Sequence, residues 1–170
     1  MSPHAAFSGS QVLIFDTGPL WELILYTAVH KLRFSSLKPE LHHLQNDSSY
    51  QRLSKFVASF PKKTTTPHVV AEINSRIVRT ERKGHSEIWG LVYTEFSSMR
   101  MDEEAMKLLE MPQKLVANIG AVDVSVLNLG LSFGQPKSVV LSLDRRLIAE
   151  CRQAGVNVKD LWEVISETNP

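Results

Sequence analysis

The stretch Gln11, Val12, Leu13, Ile14, Phe15, Asp16, Thr17, Gly18, Pro19, Leu20 constrains the fold of this chain more than any other. An apolar run of strand length stops at Asp16 and passes through Thr17, Gly18 and Pro19 into a helical pattern. A strand that is apolar at every position from Val12 to Phe15 has both faces covered, as the inner strand of a parallel sheet does. Such sheets bind ligands at the carboxyl ends of their strands, where Asp16 stands. Function therefore turns on whether other acids can reach it.

At 170 residues the chain fits one domain, over residues 11–165, with residues 1–10 a disordered lead-in. A formal net charge of +1 rules out binding to a polyanion through the field of the whole molecule, so a basic patch or a bound metal has to do it. Cys151 is the only cysteine, which excludes a disulfide framework and a thiolate cluster and makes it a packing residue. No apolar run is long enough to span a membrane and residues 1–10 carry no signal-peptide core, so a cytoplasmic location is expected.

The helical pattern after Asp16, with Thr17 as N-cap, covers 19–32 and is apolar around more than half its circumference. Residues 33–49 carry little signal beyond turns. Helices are expected over 50–60, 68–83, 86–98 and 102–110, the last from Asp102, Glu103 and Glu104 at the end of the helix dipole that favours acids. A short strand over 62–66 ends at Thr66 and Pro67, a cap and first turn. Residues 113–133 are helical with a break near Gly120; residues 137–144 form a second buried strand ending in Asp144, which caps a helix over 145–154; residues 156–158 close the sheet and 161–165 form a last turn of helix. Strands alternating with helices give a three-layer α/β/α sandwich with a four- or five-stranded parallel sheet.

Asp16 and Asp144 each stand between a strand and a helix, and either alone can be a simple N-cap. Asp123 lies in the almost wholly apolar segment 122–131, where a carboxylate has to be protonated, paired or bound to a cation, unless it caps the helix after Gly120. Glu72, with Arg76 at i+4, reads on its own as a surface ion pair. Together on one sheet edge, these four carboxylates would repel and need a hard divalent cation. Oxygen donors alone suit Mg²⁺ or Mn²⁺, which is completed by substrate phosphate, and the matching chemistry is hydrolysis of a phosphodiester. Arg76 and Arg79 follow Glu72 and Arg145 and Arg146 follow Asp144, placing candidate phosphate contacts near the acids, although each can equally be part of a solvated helix face.

The succession of Val12 to Thr17, Thr66 to Glu72, Gly120 to Leu127 and Val140 to Leu147 resembles the PIN domain, in particular the VapC-like ribonucleases. The resemblance implies an Mg²⁺- or Mn²⁺-dependent endoribonuclease with Asp16, Glu72, Asp123 and Asp144 as metal ligands, and Thr17 and Ser142 in support. It also implies an RNA substrate, and for a toxin of this kind an antitoxin partner and a homodimer. Ile88, Trp89, Leu91, Val92, Tyr93 and Phe96 could supply the dimer face or belong to the core. Arg146 stands where many members carry a further acid, which leaves one or two ions open, and the segment from about 34 to 54 is longer than in compact members.

Other readings compete. The tripeptide Asp16, Thr17, Gly18 also occurs in aspartic proteases, but those are all-β and need a second copy that this chain lacks. A catalytically silent interaction scaffold and a metal-dependent DNA nuclease or phosphatase stay open.

Overall fold

The structure, a computed structural model, describes residues 12–80, 85–98, 101–104 and 113–166. Five parallel strands run β1 Val12–Phe15, β2 Lys62–Thr65, β3 Met101–Glu103, β4 Ser138–Ser142 and β5 Val158–Asp160, in the order β3-β2-β1-β4-β5. The central pair, β1 and β4, is buried at every position, as the apolar runs require. The chain order reverses between β1 and β4, so the crevice beyond their carboxyl ends is the topological switch point of the sheet.

Helices cover both faces. The first, α1 (Thr17–His30), is buried on nearly every side and packs against α3 (Pro67–Thr80) and α4 (His85–Ser98). On the other face α6 (Ala121–Phe133) packs against α7 (Arg145–Gln153). This division follows from right-handed crossovers running first from β1 towards β3 and then from β4 towards β5. Gly130 lets α6 approach the sheet: a β-carbon there would lie 2.6 Å from Val156 Cγ1. The remaining helices are α2 (Asp47–Ala58), α5 (Gln113–Ile119) and α8 (Leu161–Ser166), and α8 packs on α2. Among the described residues no helix is long and apolar enough to cross a membrane.

Three expectations need correction. Residues 101–103 form an edge strand, not the first turn of a helix, because β2 offers Lys63, Thr64 and Thr65 as a ladder; residues 105–110 lie outside the described set, as do 1–11. Asp16, not Thr17, caps α1, its carboxylate accepting the Thr17 N–H at 2.6 Å. The last strand is Val158–Asp160, two residues later than its apolar signal. Of the apolar residues on α4, Ile88, Leu91 and Val92 are core and Trp89 packs partly on it, whereas Tyr93 is exposed; Phe96 lies outside the described side chains.

The segment with little sequence signal is tied to α1 by Glu22. This carboxylate, 3% exposed, accepts the backbone N–H groups of His42, His43 and Leu44 at 3.1, 3.1 and 3.2 Å and faces His43 Nδ1 at 3.0 Å. Around it Leu37, Leu41 and Leu44 are buried, Leu37 within a 3₁₀ helix, Ser35–Glu40. We predict that Glu22→Ala, which strands these donors, lowers unfolding stability by roughly 2–4 kcal/mol. Urea denaturation with an unchanged midpoint would refute that.

Candidate metal centre

At the switch point a cleft of about 480 Å³ is lined by Asp16, Glu72, Asp123 and Asp144, together with Thr17, Gly18, Arg76 and Leu143. The elements that bring these groups together are set by local sequence. Asp16 leaves β1 directly, its N–H bonded to Leu141 O at 3.1 Å, so it stands beside Ser142 at the end of β4. Its Oδ2 accepts the Ser142 hydroxyl at 2.6 Å, and Ser142 Oγ in turn accepts the Asp144 N–H at 2.9 Å. Asp144 caps α7 by accepting from Arg146 N and Leu147 N, both at Oδ1, so its other oxygen is not needed for the cap. Gly18 admits Leu143 to the rim, since a β-carbon would stand 3.2 Å from Leu143 Cδ1.

Glu72 rides on the second turn of α3. Its Oε2 accepts the Thr17 hydroxyl at 2.9 Å, available because Asp16 and not Thr17 is the cap, and its Oε1 accepts from Arg76 Nη2 at 2.8 Å. The ion pair expected from the i, i+4 spacing is therefore present, but at the wall of the cleft rather than on a remote face. An unbroken series of hydrogen bonds runs from Arg76 through Glu72, Thr17, Asp16 and Ser142 to the Asp144 backbone.

Asp123 arrives from the opposite layer, on the first turn of α6. Gly120 starts that helix at φ 94° without a side-chain cap, and its own N–H is bonded to Val116 O at 2.8 Å. Asp123 is thus not the cap of its helix. Thr66 and Ser125 place it: the Ser125 hydroxyl donates to Val122 O at 2.6 Å and meets Thr66 Oγ1 at 2.8 Å, joining the start of α6 to the start of α3. Ser125 was visible in the sequence as a polar break in an apolar helix, but its partner was not.

The electrostatics bear the mark of this crowding. Burial raises the Asp16 carboxyl from 3.8 to about 6 against the lowering effect of its Ser142 and Thr17 hydrogen bonds, with the charges of Glu72 and Asp144 adding to the rise. Burial also raises Asp123, to about 7, with the charges of Asp16, Asp144 and Glu72 contributing in that order. As the side chains stand, no three His, Cys, Asp or Glu among the described residues are close enough to hold an ion directly between them. Arg145 and Arg146 are exposed on α7 and do not line the cleft; Arg76 does.

No family model and no curated protein matches the chain.

The raised carboxyls give a sign for the pH dependence. Between the unfolded value of 3.8 and the folded values of about 6 and about 7, these two groups bind more protons in the folded state, so their contribution to stability is greatest in acid and is lost as pH rises through that window. We predict that the melting temperature of the metal-free protein falls between about pH 5 and about pH 7.5, and that Asp123→Asn flattens the decline. A variant with the wild-type slope would show that Asp123 is not responsible.

Proposed function

We propose that the protein is a divalent-metal-dependent endoribonuclease of the PIN type, with Asp16, Glu72, Asp123 and Asp144 as its acidic site and Mg²⁺ or Mn²⁺ as its ion. The observation that carries this reading is the convergence of four carboxylates from β1, α3, α6 and the β4–α7 turn on one cleft, two of them raised by burial and mutual repulsion. An all-oxygen donor set fits a hard cation. A hydrated Mg²⁺ retains several waters and takes only one or two carboxylates directly, so the reading does not require three of them to meet at one point.

When bound, the ion supplies Lewis-acid polarisation of the phosphodiester and a more acidic attacking water. The chain's own groups prepare the site. The Ser142 hydroxyl and Thr17 N–H hold the Asp16 carboxylate on both oxygens, and the Thr17 hydroxyl fixes one oxygen of Glu72. Arg76 brings a guanidinium to the wall where a phosphate would lie. RNA as the polymer, and control by an antitoxin, rest on the resemblance to VapC-like enzymes.

Asp16→Asn tests the reading. Asn retains the N-cap and the size of Asp, and it removes a buried charge, so the metal-free variant should melt at or above the wild-type temperature. Mn²⁺ binding by calorimetry and cleavage of labelled RNA should fall together, cleavage by at least about 100-fold. The proposal is falsified if the purified variant cuts RNA at the wild-type rate, and a wild-type protein that binds Mn²⁺ without cutting any nucleic acid would favour the scaffold.

A further inference from the structure

We propose that the RNA strand leaves the acidic cleft across α3, and that a second cavity on that side holds the nucleotide next to the scissile phosphodiester. This inference rests on the nuclease reading and adds a direction and a flanking subsite to it. The second cavity, about 400 Å³, is lined by Trp21, Glu40, Glu72, Ser75, Arg76 and Arg79. It shares Glu72 and Arg76 with the cleft, so the two hollows meet along one helix face.

The chemistry of the lining is divided. Arg76 and Arg79 are three residues apart and therefore neighbours on α3. Arg79 lies seven residues beyond Glu72, about 10 Å along the helix axis, too far for the acidic site itself and suited to a phosphate further along the strand. Trp21 lines the cavity but is only 6% exposed, so it forms a packed aromatic wall rather than an open stacking face. Glu40, the exposed last residue of the 3₁₀ helix, is an acceptor only and would repel a phosphate; it matches the donors of a nucleoside, a sugar hydroxyl or a base N–H. Cationic groups on one side and an acceptor with an aromatic wall on the other suit a nucleotide better than a bare anion. Arg145 and Arg146 line neither of these cavities.

The test uses the full chain and a fluorescein-labelled single-stranded RNA of twelve mixed nucleotides. Affinity is read by anisotropy in chelator across a salt series, and kcat and KM by cleavage in Mn²⁺. Arg79→Ala should weaken affinity and raise KM about tenfold, flatten the slope of log Kd against log salt by about 0.7, and leave kcat within about twofold. Lys137→Ala, exposed in the turn before β4, is the control and should change none of these. Arg79→Ala with the wild-type Kd and salt slope, or a loss equalled by Lys137→Ala, overturns the subsite while cleavage by the wild type leaves the nuclease reading intact. A wild type that binds the RNA through Arg79 but cuts nothing in Mn²⁺ has the opposite meaning: the cavity stands as an RNA contact with no scissile bond beside it, and the nuclease reading fails.

Discussion

The buried carboxylate of Asp16 is the group on which the rest of the site depends. It is 4% exposed at the end of a strand with no polar residue, and burying such a charge is costly unless it is hydrogen-bonded. The chain meets that cost twice, once with the N–H of the residue that opens α1 and once with a hydroxyl from the neighbouring strand. The second donor is in place because β1 and β4 are paired in register up to Phe15 and Leu141, which sets Ser142 beside Asp16. A misplaced register between the two strands would leave the carboxylate without the Ser142 hydroxyl and with its repulsive neighbours still close.

From Asp16 outward the site divides into a stiff side and a separate acid. Arg76, Glu72, Thr17, Asp16, Ser142 and Asp144 are linked through hydrogen bonds that join α3, α1, β4 and the start of α7. Asp123 has a different support, the Thr66–Ser125 contact between α3 and α6. The cleft is thus closed by two layers of the sandwich that meet at α3, and the helix that carries Glu72 also carries both arginines of the adjoining cavity.

Much of this was legible before the structure. Unbroken apolar runs reveal β1 and β4 because full burial leaves no alternation, and the acids that follow them stand where the switch point falls. Long-range contacts were not legible. Residues 42–44 have no periodicity of their own because Glu22, twenty or more residues upstream, accepts their backbone N–H groups. Asp102 and Glu103 imitate a helix start because acids suit both a first turn and an exposed edge, and only the pairing with β2 decides between them. Among the site residues, the i, i+4 spacing revealed the Glu72–Arg76 pair but not that Thr17 would turn it into the cleft. The two arginines after Asp144 follow it in sequence, yet the cap geometry of α7 carries them away from the lining.

The charge of the cleft is met unevenly by its neighbours. Glu72 already has a cation in Arg76, and Asp144 has part of its charge met by two N–H groups at the positive end of α7. Asp16 has two donors, the Thr17 N–H and the Ser142 hydroxyl, yet burial still raises it, and burial raises Asp123 as well. Arg76 and the positive end of α7 thus meet charge on one side of the cleft, while Asp123 faces it from α6 in the other layer.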